Sequence, residues 1–254
     1  MILRVINAFV LAFLLVPIFV VMATAFGGAP YPQFPPSDLT FKWFVRFFNS
    51  QELMSSVRLS LALSFCSTLI ASIIGCLSAL ALTRYNFRGK PMVTASLLSP
   101  ILFPTIVLGL ALLIAFHRMG LAHTFTGLVA AHVVLITPFV IRLVSASLAD
   151  FDISIEEAAR NLGAGPLKTF FQITLPIIRP GLIAGALFGF VMSFDELVIT
   201  LFLAGPGLET LPIRIFSYIQ YSNDPTISAI STCLIVLSTL IGAPIYMRFL
   251  TVRH

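Results

Sequence analysis

Six long apolar stretches constrain this chain more than any other feature of its sequence. They lie at about 5–26, 57–83, 93–116, 123–147, 177–203 and 227–250. Because a helix needs about 20 apolar residues to cross the hydrocarbon core of a bilayer, each stretch is long enough to span it. Barrel strands need only about 10 residues each, so the pattern predicts an all-α integral membrane protein with six transmembrane helices.

The composition excludes a soluble catalytic domain. Of the 254 residues, 58% are hydrophobic and 10% are charged, too apolar a mixture to be hidden inside a soluble fold. Six spans use most of the length, so we expect residues 1–254 to form a single transmembrane domain. The apolar run of the first stretch exceeds the roughly 7 to 15 residues of a signal-peptide core, which predicts a retained helix.

Charge placement predicts the topology of the chain. Ten of the fifteen Lys and Arg residues fall on one side of the predicted spans. The excess of basic residues in cytoplasmic loops then predicts cytoplasmic termini and cytoplasmic connections at about 84–92 and 148–176. This explains the net charge of +5 without nucleic acid as a partner. The outer segment at about 27–56, with aromatic residues next to Lys42 and Arg46, predicts an interfacial helix.

Prolines predict a kink in the third stretch, and the cysteines predict no metal site. Pro100 and Pro104 stand four residues apart, where each removes a backbone hydrogen bond of the helix. The three cysteines lie in apolar stretches without metal-ligand spacing, so we expect membrane packing for them.

The connection at about 148–176 has the pattern of two short helices. Ser154 followed by Glu157 three residues later predicts a capping box at the start of a helix, and Gly163 predicts its end. Pro166 suits the first position of a second helix. On that helix we expect one apolar face, formed by Leu167, Phe170, Phe171 and Thr174.

The first of these helices has features of a docking site. Ala158 and Ala159 are small enough for another protein to approach closely, and Glu157 and Arg160 can fix its angle through paired charges. We therefore interpret the two helices and the Gly-rich elbow between them as a protein-docking element.

The spacing in this connection resembles a known family. Glu157-Ala158-Ala159, three residues, Gly163, nine residues, Ile173, one residue and Leu175-Pro176 is similar to the EAA loop of permeases of binding-protein-dependent ABC importers. The resemblance extends from Ala81-Leu82-Thr83-Arg84 to the segment Ser193 to Thr200. Within the family the chain looks most similar to the second permease of spermidine/putrescine-type importers. It departs at Arg58-Leu59-Ser60-Leu61, where relatives usually have Asn-Ser-Leu.

The resemblance implies a type I ABC importer permease fold whose cytoplasmic coupling helix sits in a groove of an ATPase subunit. It implies an inner-membrane complex with a second permease as heterodimer partner, two ATP-binding subunits and a substrate-binding protein. The residues assigned to coupling are Glu156, Glu157, Ala158, Ala159, Arg160, Gly163 and Gly165. We expect no cofactor on this chain and no enzymatic activity, with ATP and Mg on the ATPase subunits, because Gly89-Lys90 is followed by Pro91 and not by the Ser or Thr of a Walker A motif.

Two carboxylates in the fifth stretch suggest the cargo. A charge near mid-bilayer costs on the order of 3 kcal/mol unless it faces water or a partner, so Asp195 and Glu196 are functional candidates. They could line the route of a cation, pair with the partner permease, or hold a helix bend. With Ser193, Phe194 and Phe202 they form the predicted substrate pathway, suited to a polyamine through charge and cation–π contacts. The isolated His132 of the fourth stretch is interpreted as hydrogen-bonded packing.

The sequence alone leaves other functions open. Related permeases carry opines, aminoethylphosphonate or ferric iron, and the sequence constrains the substrate only weakly. An ion-driven secondary transporter or a channel would also need six helices and buried carboxylates, but it has no need of the spaced cytoplasmic element, and inverted repeats are not evident. A membrane-embedded enzyme lacks support, since HExxH and GxSxG motifs are absent.

Overall fold

The computed structural model describes residues 2–149, 151–222 and 224–251. Asp150, within the predicted cytoplasmic connection, and Arg253, one of the basic residues behind the topology prediction, lie outside them. The regular elements of the described part are helical, which confirms the all-α class. They are α1 (Ile2–Thr24), α2 (Lys42–Asn49), α3 (Gln51–Arg84), α4 (Lys90–Leu98), α5 (Thr105–Arg118), α6 (Phe125–Ala149), α7 (Ser154–Asn161), α8 (Pro166–Thr169), α9 (Leu175–Phe194), α10 (Val198–Leu203), α11 (Leu211–Tyr221) and α12 (Thr226–Thr251).

Each predicted apolar stretch lies largely on helix, but not every stretch is one unbroken span. Four helices among the described residues are long and apolar enough to cross a membrane, namely α1, α3, α6 and the continuous helix Pro166–Phe194. The helices Lys90–Leu102 and Thr105–Arg118 qualify only as a pair, bent by 114°. Residues Thr226–Leu240 of α12 form a shorter apolar helix. The count of six spans therefore stays a prediction.

The sharp bend lies where the prolines of the third stretch predict it. A 3₁₀ turn, Ser99–Leu102, follows α4, and Phe103 is extended with φ of −90° and ψ of 140°. Pro104 then stands immediately before α5. A residue before proline is driven out of the helical region by the proline ring, and proline has no N–H to continue the ladder. The predicted kink is confirmed.

Backbone contacts divide the chain into two compact units. The first comprises residues 1–55 and 214–254. In its described part, Trp43 of α2 is buried and its indole N–H donates to the carbonyl oxygen of Gly27 at 2.7 Å. Arg46 of the same helix pairs with Asp224 at 2.9 Å. The expected helix of the outer segment is thus present, and it turns Trp43 and Phe47 inward while Phe48 stays exposed. Its place at the membrane interface stays a prediction.

The second unit, residues 56–213, is built around α6. The apolar side chains of α6 pack with those of α3, α5, α9 and α10, and Leu128, Ile136 and Val140 among them are fully buried. Glycines at every fourth position of α9, Gly181, Gly185 and Gly189, face α6 and let the two helices approach closely. This unit contains both regions that the sequence predicts to be functional.

Candidate functional site

The start of α7 is capped by a residue that the sequence interpretation missed. Ser154 is already the first helical residue, and the N–H of Glu157 donates to the carbonyl oxygen of Ile153 at 3.2 Å. The predicted capping box of Ser154 and Glu157 is therefore wrong. Asp152 takes its place, since its Oδ1 accepts the backbone N–H of Ser154 at 2.9 Å. Aspartate commonly caps the backbone two residues ahead in this way.

The same hydrogen bond makes the cap of α7 pH-dependent. The backbone N–H of Ser154, and secondarily its side chain, stabilise the charged carboxylate and hold the pKa of Asp152 below its ordinary value. A lowered folded-state pKa gives stability that is present above the unfolded pKa and lost as the pH falls through the folded one. The cap is therefore fully formed at neutral pH.

The end of α7 agrees with the sequence prediction. Gly163 has a φ of +87°, and its N–H donates to the carbonyl oxygen of Arg160 at 2.9 Å. The next N–H, of Ala164, reaches back to the carbonyl oxygen of Ala159 at 3.0 Å. These two bonds form a Schellman motif, which favours glycine because L side chains are strained at positive φ. A Cβ on Gly163 would meet no described atom within 4 Å, so the elbow is open on this chain.

The second short helix begins at Pro166, as predicted, but its face is different. Thr169 and Thr174 are buried, whereas Leu167 and Phe171 are 75% and 60% exposed. The cause is a π-helical turn, Phe170–Thr174, which leads α8 into α9 and shifts the angular register of the side chains. The prediction of one face shared by Leu167, Phe170, Phe171 and Thr174 is therefore wrong.

Exposed residues surround the elbow and form a surface open to another protein. Leu162, at the end of α7, is 89% exposed, an unusual position for leucine outside an interface. We call this set the docking surface; it comprises Glu157, Ala158, Arg160, Leu162, Gly163, Gly165, Leu167 and Phe171, all of them exposed. Ala159 is half-buried beneath it. Six of the seven residues that the sequence assigns to coupling thus lie on or directly under this surface.

The remaining coupling residue, Glu156, points inward. Its Oε1 accepts hydrogen bonds from Thr174 Oγ1 at 2.7 Å and from Arg84 Nη2 at 3.2 Å. Arg160 contributes a longer contact to Oε2 at 3.7 Å. The adjacent glutamates therefore differ in role, because Glu157 faces outward and Glu156 is buried. The sequence marks Arg84 only as part of the family resemblance, and its pairing with Glu156 was not predicted.

The fifth apolar stretch is broken at the carboxylates. Helix α9 ends at Phe194, α10 begins at Val198, and the residues between them are non-helical. Glu196 is buried, and its Oε1 accepts the N–H of Ile199 at 2.9 Å, so the carboxylate caps the first turn of α10. Asp195 is exposed. Of the three roles open to these acids, holding the helix bend is the one that Glu196 performs in this structure.

The other predicted pathway residues are less exposed than Asp195. Ser193 is buried. The ring of Phe194 stacks with that of Phe190, with 6.1 Å between centroids, and the ring of Phe202 lies against Gly109 of α5. The substrate pathway through Ser193, Phe194, Asp195, Glu196 and Phe202 stays a prediction.

His132 joins the two sides of the break from α6. Its Nδ1 lies 2.7 Å from Ser193 Oγ, and its Nε2 lies 3.1 Å from Thr200 Oγ1. The Thr200 hydroxyl donates to the carbonyl oxygen of Glu196 at 2.8 Å, so its oxygen is left to accept from Nε2–H, and Nδ1 accepts from Ser193. This arrangement confirms hydrogen-bonded packing for His132. We call His132, Ser193, Glu196 and Thr200 the buried polar node; Thr200 was not singled out from the sequence.

Comparison with known proteins places this architecture in a family. Residues 71–250, which include the docking surface and the buried polar node, match the family described as binding-protein-dependent transport system inner membrane component. The chain belongs to this family. The resemblance seen in the sequence is thus confirmed, and with it the interpretation of the chain as a transport permease.

Three curated relatives of this permease are similar over most of its length. The spermidine/putrescine transport system permease protein PotC of Escherichia coli (strain K12) is 34% identical over 227 residues, 89% of this chain and 86% of the relative. The putrescine transport system permease protein PotI of the same strain is 38% identical over 210 residues, covering 79% and 74%. PotC of Haemophilus influenzae (strain ATCC 51907 / DSM 11121 / KW20 / Rd) is 34% identical over 235 residues, 91% of each chain.

A solved structure supports the fold of the permease. A chain of a bacterial ABC transporter involved in the import of the acidic polysaccharide alginate aligns with a TM-score of 0.72. The alignment covers 99% of this permease and 95% of that chain at 18% identity. Identity this low supports the fold alone. The structural alignment confirms that this permease has the fold of an ABC importer permease.

Proposed function

We propose that this chain is one of two transmembrane permease subunits of an ATP-driven importer that carries a polyamine, such as spermidine or putrescine, across the inner membrane. The observation that carries the proposal is the 34–38% identity to spermidine/putrescine and putrescine permeases over most of the chain. The exposed Asp195 at the break in the fifth stretch supports a cationic cargo, since an ammonium group is stabilised by a nearby carboxylate.

The proposed complex contains a second permease as heterodimer partner, two ATP-binding subunits and a substrate-binding protein. In it, the ATP-binding subunits hold ATP and Mg and perform the hydrolysis, while this chain binds no cofactor. The docking surface supports this division, since it presents the exposed apolar side chains of Leu162, Leu167 and Phe171 just beyond a short helix that is capped at both ends. In the proposed topology both termini and this surface are cytoplasmic, and residues 27–56 lie on the outer face.

The docking role predicts a specific effect at the elbow. We expect Gly163→Asp to reduce ATP-driven spermidine uptake about tenfold while the complex still assembles. A tenfold reduction corresponds to a loss of about 1.4 kcal/mol in the free energy of docking to the ATPase subunit. A Cβ at Gly163 meets no described atom of this chain within 4 Å, so we expect the docked subunit to be what obstructs the new side chain. Uptake and ATPase activity are measured in proteoliposomes that contain the full complex and the binding protein.

Gly89→Asp is the matched control for this variant. Gly89 also has a positive φ, +86° against +87° at Gly163, and a Cβ there also meets no described atom within 4 Å. Both variants carry the same backbone strain and the same added charge, but Gly89 precedes α4 and lies outside the docking surface. Equal losses at the two positions would assign the effect to strain and contradict docking.

The proposed substrate predicts a charge effect at Asp195. We expect Asp195→Asn to lower the specificity constant for spermidine uptake about tenfold, because a carboxylate–ammonium contact contributes a few kcal/mol near a protein surface and part of it is offset by solvation. Asp38→Asn removes an exposed carboxylate of the outer segment and serves as control. Wild-type uptake of aminoethylphosphonate, an opine or ferric iron in preference to polyamines would overturn the proposed cargo.

A further inference from the structure

We propose that Arg84 is a positioning residue for energy coupling, which ties the end of α3 to α7 through Glu156. The inference rests on the proposed function, because it explains how a displacement of the docking surface reaches a membrane-spanning helix. It adds a residue that lies outside the EAA-type spacing, 72 positions before the glutamate that it contacts.

The first observation is the way in which α7 is held. Of its eight residues, all described, only Glu156 is buried. A short helix is normally anchored by an apolar face, yet the one residue that α7 buries is a carboxylate. A buried charge is strongly unfavourable unless it is paired and hydrogen-bonded, so the position of α7 depends on the partners of Glu156.

The second observation is that these partners belong to different elements. Arg84 is the last residue of α3, and Thr174 closes the π-helical turn that leads into α9. Both donate to the same atom, Oε1 of Glu156, at 3.2 and 2.7 Å. One carboxylate oxygen therefore connects the coupling helix with two helices that are long and apolar enough to cross the membrane.

The third observation is that the guanidinium of Arg84 is itself fixed. Its Cζ lies 4.7 Å from the centroid of the Phe151 ring, in the segment just before α7, and its side chain is largely buried. The planar guanidinium stacks on the ring and at the same time donates to Glu156, which the compact ammonium of a lysine does less well. Arg84 thus contacts both the segment that leads into α7 and the residue that anchors α7.

These contacts give Arg84 a role distinct from that of the docking surface. The caps of α7, at Asp152 and Gly163, are independent of Arg84, so the helix and its surface persist when the ion pair is lost. What is lost is the direct connection to α3. ATP hydrolysis then continues, but less of the resulting movement is converted into transport.

The test measures ATP hydrolysed per spermidine imported by the full complex in proteoliposomes with its binding protein. We expect Arg84→Ala and Glu156→Gln each to raise this ratio about tenfold, and the double variant to raise it no further, because two residues that act through one contact are not additive. Glu156→Gln retains an oxygen for Thr174 but removes the charge that pairs with Arg84. Arg84→Lys should fall between Arg84→Ala and the wild type.

Arg88→Ala is the matched control, since it removes an exposed arginine four residues further along the same connection. We expect it to change the ratio less than twofold, as for most exposed substitutions. An unchanged ratio in Arg84→Ala, or additive effects in the double variant, overturns the proposal. Failure of both single variants to assemble also overturns it, because the ion pair would then be structural.

The outcome is separable from that of the proposed function. If the wild-type complex imports no polyamine, the cargo assignment fails, and stimulation of its ATPase by the binding protein remains as a readout for Arg84. The proposal then requires that stimulation of the ATPase by the binding protein change to the same extent in Arg84→Ala and in Glu156→Gln. In Arg88→Ala this stimulation should stay within twofold of the wild type.

Discussion

Gly181→Ala is expected to prevent most of the permease from accumulating in folded form, whereas Gly189→Ala is tolerated. A Cβ on Gly181 would overlap Ser147 Oγ and would lie 2.7 Å from the carbonyl oxygen of Leu143. The serine side chain can rotate away, but the carbonyl belongs to the backbone of α6 and can move only with the helix. Overpacking typically costs about 1–3 kcal/mol and more when backbone must shift, a large part of the roughly 5–15 kcal/mol of a folded domain.

Gly189 provides the internal control because it lies on the same helix and faces the same partner. The nearest atom to a Cβ there is Ile136 Cδ1 at 3.5 Å, an ordinary van der Waals contact. Alanine also has the higher helix propensity, by about 1 kcal/mol, so Gly189→Ala should be neutral or stabilising. The amount of monodisperse protein in detergent and its thermal midpoint provide the measurements. Similar losses for both variants would contradict the packing described for α6 and α9.

The sequence predicts the helices of this permease well because their main determinant is local. Apolar length marks the stretches that a bilayer demands, and Pro104 and Gly163 act on the backbone where they stand. The predicted capping box at Ser154 was wrong because two candidate capping residues stand close together in the sequence. Asp152 and Ser154 are both good capping residues two positions apart, and pattern alone does not decide which of them starts the helix.

The features that escaped prediction are those that depend on tertiary contacts. The pairing of Arg84 with Glu156 joins residues 72 positions apart, and no periodic pattern in the sequence predicts such a contact. The π-helical turn at Phe170–Thr174 also has no residue signature, yet within it Phe171 is exposed and Thr174 is buried against Glu156. The sequence therefore identifies the docking element but not how it is anchored to the rest of the protein.

The break in the fifth stretch shows the same limit at the predicted substrate pathway. Two adjacent carboxylates in an apolar segment predict function by default. The sequence does not show which of them is already hydrogen-bonded within the protein. The structure separates them, because Glu196 caps α10 and Asp195 is exposed. In this structure the hypothesis of a cationic cargo therefore depends more on Asp195 than on the pair.

His132→Ala is expected to destabilise the permease by about 3 kcal/mol, within the range of about 2–5 kcal/mol for deleting a large buried side chain. The histidine is fully buried, so alanine leaves a cavity inside the second unit. It also leaves the hydroxyls of Ser193 and Thr200 without their histidine partner. Interhelical hydrogen bonds in membranes contribute about 0.6 kcal/mol on average, so we expect the cavity to account for more of the loss than the bonds.

The thermal midpoint of the purified complex measures this effect, with His117→Ala as control because His117 is exposed and should change stability by less than about 0.5 kcal/mol. Adding Ser193→Ala to His132→Ala should cost less than Ser193→Ala in the wild type, since the shared hydrogen bond is already gone. Equal midpoints for the two histidine variants would contradict a structural role for the buried polar node. In that case the hydrogen bonds of His132 to Ser193 and Thr200 would not be needed to hold the break between α9 and α10.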